Sequence, residues 1–153
     1  MLILPVDAKN IRDAALVHSL SWQESHRAFC SAEFILKHTP ARQEAYLLGK
    51  MEAGSDVFLL TDPDPKGIVS VNGSLIEDLY VHPLFQRRGY GSALLHFAVG
   101  RCAGTPTLWI LENNARAKAL YLKRGFRETG NRKSIKNGLD EIELALSEAG
   151  EIH

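Results

Sequence analysis

Leu79-Tyr80-Val81-His82-Pro83-Leu84-Phe85-Gln86-Arg87-Arg88-Gly89-Tyr90-Gly91-Ser92 is the segment on which the reading of this chain turns. It begins as the end of an extended run, Leu75 to Val81. His82-Pro83 stops that run, because the residue before a proline avoids helical angles. It ends as the start of a helix reaching from about Tyr90 to Cys102, with Leu94, Leu95, Phe97, Ala98 and Cys102 on the inward side. Between strand and helix lie Gly89 and Gly91, preceded by Arg87 and Arg88. Glycines at a helix start let the backbone approach an anion closely, and the first helical N–H groups have no intrahelical partner. The helix dipole and the two guanidinium groups add positive potential at the same spot. Such a turn suits a diphosphate; the plainer alternative is a glycine-softened helix start with two arginines in solvent. A dinucleotide fingerprint is excluded, because Leu94 stands where its third glycine is needed, and a P-loop is excluded because no Gly-Lys-Ser/Thr follows.

Outward from this segment, the pattern predicts a domain of mixed elements. Leu2 to Val6 reads as a first strand, and Asp7 as the cap of a helix over about residues 8 to 21. Thr39-Pro40 opens a second helix, with Thr39 as N-cap, which runs to about Ala53 and stops at Gly54. Three strands follow: Val57 to Leu60, Ile68 to Val71, and Leu75 to Val81 after an Asn72-Gly73 hairpin whose two residues are both expected at positive φ. Beyond the central helix, Leu108 to Leu111 is a strand and about Asn114 to Arg124 a helix ended by Gly125. Phe126 onward and Leu139 to Leu146 form a last pair across Lys136-Asn137-Gly138. Leu75 to Leu111 is a βαβ unit, so its two strands are expected parallel with a right-handed crossover. The fold class is α+β (mixed α/β): a single domain over residues 1–153, with a twisted, mostly antiparallel sheet and helices on both faces.

Composition narrows the functions. The 153 residues carry eighteen basic and eighteen acidic side chains, which argues against nucleic acid as the main partner. The densest basic stretch, Arg124, Arg127, Arg132, Lys133 and Lys136, reads as a solvated strand face. Cys30 and Cys102 form no Cys-x-x-Cys pattern and no histidine pair has zinc-ligand spacing, so no metal site is expected. With no signal-peptide pattern and no apolar run long enough for a membrane helix, the expected location is the cytoplasm, with no membrane partner.

Three ordered motifs resemble the GNAT superfamily, the acyl-CoA-dependent N-acyltransferases. Gln86-Arg87-Arg88-Gly89-Tyr90-Gly91 is similar to the family's Gln/Arg-x-x-Gly-x-Gly/Ala turn. Leu79 to Pro83 looks like the strand ending before it, and Asn114-Ala115-Arg116-Ala117, Tyr121 and Gly125-Phe126 resemble the second family motif. The likeness is good over residues 57 to 146 and weak before them. It implies acetyl-CoA as co-substrate and an amine acceptor, with a homodimer left open. The implied cofactor contacts are Leu79, Tyr80, Val81, Gln86, Arg87, Arg88, Gly89, Tyr90, Gly91, Ser92 and Asn114. A gap between the fourth and fifth strands would receive the pantetheine arm along Leu79 and Val81, and the Leu79 amide would polarise the thioester. Tyr121 is the implied general acid for the departing thiol; its plainer reading is a core tyrosine beside Leu120 and Phe126. Asn114 also reads as a helix N-cap. Glu77 is the candidate base, because strict alternation puts it on one face with Leu75, Leu79 and Val81, and Asp78 on the other. Trp109 stands where some relatives carry a glutamate, and Glu112 is a weaker alternative. A catalytically silent acyl-CoA sensor is the competing function.

Overall fold

The computed structural model describes residues 1–28, 30–136 and 138–147. Seven strands form one mixed sheet in the order β1-β2-β3-β4-β5-β7-β6. They are β1 (Leu2–Pro5), β2 (Asp56–Thr61), β3 (Pro65–Asn72), β4 (Leu75–Val81), β5 (Thr107–Leu111), β6 (Phe126–Lys136) and β7 (Leu139–Leu146). All neighbours are antiparallel except β4 and β5, as the βαβ pattern predicts. The helices are α1 (Ile11–His26), α2 (Ala32–Leu36), α3 (Pro40–Glu52), α4 (Tyr90–Arg101) and α5 (Ala115–Lys123), with a 3-10 turn at Pro83–Phe85.

Two hydrophobic layers hold the sheet. On one side Ile11, Ala14, Ala15 and Val17 of α1 and Leu47 of α3 pack on Val57, Leu59 and Ile68. On the other, Leu94, Leu95 and Ala98 of α4 and Tyr121 of α5 pack on Phe58, Leu60, Val69, Val71, Ile76, Leu108 and Ile110. Alternation along β2 and β3 sends successive residues to opposite layers, which is why Val57 to Leu60 of β2 reads as a continuous apolar run. Burying each such aliphatic or aromatic side chain is worth about 1.5–3 kcal/mol.

Several local expectations change. Helix α1 starts at Ile11 and reaches His26, five residues further than the pattern indicated. Asp7 caps the turn before it instead: its carboxylate accepts from the amides of Lys9 and Asn10 at 2.8 and 3.2 Å. The short helix α2 is not indicated by the sequence pattern; Ser31 caps it by accepting from the Phe34 amide at 3.2 Å. Thr39 and Pro40 do open α3, the threonine oxygen accepting from Arg42 N–H at 3.2 Å. In the hairpin, Asn72 pairs with Leu75, so the two loop residues are Gly73 and Ser74, and only Gly73 has a positive φ, +62°. Glycine at the first loop position is the requirement of a type II′ turn. Of the last hairpin's turn, Asn137 lies outside the described residues.

The departure with most consequence is in β4. Asp78 has φ +53°, and the β3–β4 register jumps by one between Ser70↔Glu77 and Ile68↔Tyr80. One extra residue in a strand is a β-bulge, and it reverses the facing of everything beyond it. Glu77 therefore does not share a face with Leu79 and Val81. It reaches Lys50 of α3, and Asp78 reaches Tyr46 of α3, while Leu79 and Val81 pack in the α4/α5 layer. Both carboxylates lie on the α1/α3 side with Tyr80.

Candidate active site

Parallel pairing of β4 with β5 is confined to Leu75↔Thr107 and Ile76↔Leu108. Beyond Ile76 the two strands separate, and the β5-facing backbone groups of β4 have no strand to pair with. A groove of about 560 Å³ occupies the opening. Its floor is Leu79, Tyr80 and Val81; one wall is the turn bearing Gln86, Arg87, Gly89, Gly91 and Ser92; the other is α5, from its N-cap Asn114 to Tyr121.

The turn has the backbone its sequence demands. Gly89 is the α4 N-cap with φ +88°, and a Cβ added there would meet nothing within 4 Å, so it would project into open space. Arg87, at φ +64°, is a second left-handed residue and carries the steric cost that L side chains meet there. Arg88 and Tyr90, two expected contacts, do not line the groove. Arg88 lies over the Phe85 ring at 5.4 Å, and the Tyr90 hydroxyl donates to Asp62 at 2.8 Å. Their contribution here is to brace the turn. Gln86 reaches the Val81 carbonyl at 3.5 Å and accepts from Arg116, tying the turn to α5. Asn114 caps α5 as expected, its side chain accepting from Ala117 N–H at 3.1 Å. A diphosphate with an extended arm fits this set: free helix-start amides, an arginine in the lining, and unpaired strand edge.

Tyr121 sits where groove and core meet. It is 7% exposed and packs edge-on against Phe126, with ring centroids 5.9 Å apart. Burial pushes its phenol above the ordinary value, so it stays protonated. Its hydroxyl has no hydrogen-bond partner among the described residues, yet the side chain lines the groove and a smaller cavity beside it.

That cavity, about 110 Å³, is lined by Glu77, Asp78, Trp109 and Glu141 together with Ser25 and His26 of α1. Lys50 donates to Glu77 at 2.5 Å. The Tyr46 hydroxyl donates to both Asp78 oxygens, at 3.0 and 3.1 Å. Burial raises the Asp78 carboxyl above the usual range; Lys50 and the Tyr46 hydrogen bond oppose that shift. His18, 1% exposed, stacks near Tyr80 at 5.1 Å and faces Asp78 at 3.9 Å. Burial first, then the charges of His38, His26 and Lys50, lowers its pKa to about 3, so it is neutral and no ion pair forms.

No pattern in the sequence marks His18, Tyr46 or Lys50, because their role depends on α1 and α3 packing across β4. Glu112 pairs with Arg132 at 2.7 Å and is not part of the cavity lining. Arg132 also pairs with Asp140, and Lys133 lies over the Trp109 ring at 4.0 Å, so this part of the basic stretch is engaged with the sheet. Trp22 is stacked between His26 and His38, at 3.9 and 3.5 Å.

Comparison with known proteins agrees with this geometry. Residues 54–128 match the family described as the acetyltransferase (GNAT) domain. A GCN5-related N-acetyltransferase structure from Rhodopseudomonas palustris superposes with a TM-score of 0.73 at 21% identity, covering 95% of this chain and 94% of that one. The ribosomal-protein-S18-alanine N-acetyltransferase of Escherichia coli gives 0.71 at 21% identity, covering 95% and 92%. The PaiA N-acetyltransferase of Thermoplasma acidophilum, solved with coenzyme A, gives 0.66 at 16%, covering 94% and 98%. No curated protein sequence matches. Among the described residues, no helix is long and apolar enough to cross a membrane.

Proposed function

We propose that this chain, which carries a GNAT acetyltransferase domain within a GNAT fold, moves an acetyl group from acetyl-CoA to a primary amine by direct attack in a ternary complex. The observation that carries the reading is convergence: Leu79, Val81, the glycine turn, Asn114 and Tyr121 all line one groove that ends beside a cavity containing carboxylates. Acetyl-CoA supplies a thioester carbonyl as the electrophile.

The residues divide the work. Gln86, Arg87, Gly89, Gly91 and Ser92 hold the diphosphate, braced by Arg88 and Tyr90. Backbone groups of Leu79 and Val81 hold the arm as an added strand, while those of Tyr80 face β3. The Leu79 N–H faces the carbonyl oxygen, and a fixed donor there acts most strongly as negative charge develops on it. As the C–N bond forms, the amine proton passes to the β4 carboxylate pair. Glu77 can take it directly or through a water, but Lys50 already engages it. Asp78, next to Leu79 and made more basic by burial, is the stronger of the two. As the C–S bond breaks, the Tyr121 phenol donates to the departing sulfur.

Thermal melting with acetyl-CoA or CoA tests the binding part, since a ligand of the native state raises the midpoint. Thiol release against a panel of amines tests the chemistry. No midpoint shift sinks the cradle. A shift without turnover of any amine makes the protein an acyl-CoA sensor.

A further inference from the structure

We propose that Tyr46 is a positioning residue of this site, its hydroxyl aiming the Asp78 carboxylate at the β4 bulge and holding it in the ionised form that a base requires. This rests on the acetyl-transfer reading above, in which Asp78 takes the amine proton.

Helix α3 is set to make the contact. Gln43 and Leu47 are its buried residues. With that stripe against the domain, Tyr46 and Lys50, one turn apart, share an adjoining stripe. Each meets one of two successive carboxylates: the Tyr46 hydroxyl lies 3.0 and 3.1 Å from the two Asp78 oxygens, and Lys50 pairs with Glu77. Consecutive side chains of a regular strand face opposite ways, so the bulge is what brings both to one helix. The Tyr46 ring is held in turn against His18 of α1, with 5.4 Å between centroids.

Tyr46 is 40% exposed, so water could satisfy its hydroxyl; it is spent instead on a carboxylate whose backbone has φ +53°. A hydroxyl has one hydrogen, and here both oxygens share it. A neutral carboxyl carries its own hydrogen on one oxygen, which makes that oxygen the poorer acceptor, so a shared donor favours the carboxylate. Partial burial, then the charge of Asp78, pushes the phenol far above its ordinary value, so the donor is present at every working pH. The other groups facing Asp78 do not replace it. From α1 come His18, neutral at 3.9 Å, and His26, whose imidazole burial holds below the ordinary value. From β3 comes the Ser70 hydroxyl. Glu77 and Tyr80 belong to the same strand, and Glu141 of β7, across the cavity, is in register with Lys133 of β6. Lys50 acts on Asp78 by charge, but its hydrogen bond goes to Glu77.

Tyr46→Phe keeps the ring and removes the hydroxyl. The acid limb of the kcat profile, assigned to Asp78 by its loss in Asp78→Asn, should move up by about one pH unit, the worth of one hydrogen bond to a charged group. Below the limb the rate should fall about tenfold. Calorimetric CoA affinity should be unchanged, because Tyr46 does not line the groove. Replacing Tyr46 by a ring-fluorinated tyrosine, a stronger donor of nearly the same shape, should move the limb the other way. A tyrosine that only packs would alter the melting midpoint and leave the limb in place. An unmoved limb in folded Tyr46→Phe, or one that moves the same way in both variants, overturns the assignment. A limb that survives Asp78→Asn overturns it together with Asp78 as the base. If no amine turns over, an NMR titration of the Asp78 carboxyl in parent and Tyr46→Phe decides. A midpoint raised by about one pH unit retains the hold of Tyr46 on Asp78 while the acetyl-transfer reading falls, and coincident titrations overturn that hold.

Discussion

The two ends of β4 are built on opposite terms. Its C-terminal end runs into a turn whose conformation is set by nearby residues: a proline, two glycines and a left-handed arginine within nine positions, Pro83 to Gly91. Its middle is set from a distance. The bulge at Asp78 is held by Tyr46, thirty-two residues away in α3, and Glu77 by Lys50, twenty-seven away. The first end offers backbone to an anion, which needs little beyond local geometry. The second concentrates carboxylates, which must be steadied by neighbours or solvent. Under the proposed function, binding falls to the local end and proton transfer to the long-range end, and the two should separate under mutation.

The largest expected effect is at the bulge. Asp78→Asn should slow acyl transfer by ~10²–10⁴-fold with CoA affinity unchanged by calorimetry. A base must be ionised, so the parent rate should fall as pH drops through the raised Asp78 value, and the variant should lack that limb. Glu77→Gln sharpens the assignment: a smaller loss than Asp78→Asn makes Asp78 the base, and the reverse order restores Glu77.

Next comes the turn. Gly89→Asp places a Cβ at φ +88° and a negative charge at the helix start, and should weaken CoA binding by about 10²-fold. If a folded variant keeps parental affinity while losing rate, the division between the two ends is wrong. Tyr121→Phe lies between them. It should keep CoA affinity and slow turnover by about 10²-fold, the low end for proton donation, because burial makes this phenol a reluctant acid. Equal single-turnover rates would return Tyr121 to the core.

The smallest effect is on stability. His18 has a folded pKa of about 3 against an ordinary 6.5, so below pH 6.5 the unfolded chain binds a proton that the native one does not. Stability should therefore fall as pH drops from 6.5 toward 3, by about 1 kcal/mol already at pH 5.5. His18→Phe should flatten that part of the slope in melts at pH 7 and 5.5. An identical slope would mean that His18 can be protonated without disturbing the bulge.

The order of elements apart from α2, the parallel β4–β5 pair, the caps at Thr39 and Asn114 and the glycine turn were all legible in the sequence, because each depends on residues within a few positions of one another. Periodicity also placed the two apolar layers, since a strand buried on both faces must be apolar throughout. What only the tertiary structure decided is which way Glu77 and Asp78 face, and that Arg88 and Tyr90 brace the turn without lining the groove. No local signal marks Asp78 as left-handed, for an aspartate inside an apolar run reads as ordinary alternation. Its conformation is stabilised by a tyrosine hydroxyl that α3 delivers across the sheet, and a one-residue bulge then reverses the side-chain facing along the rest of β4. Contacts of that range carry no periodicity of their own, so they become readable only when the helices are packed.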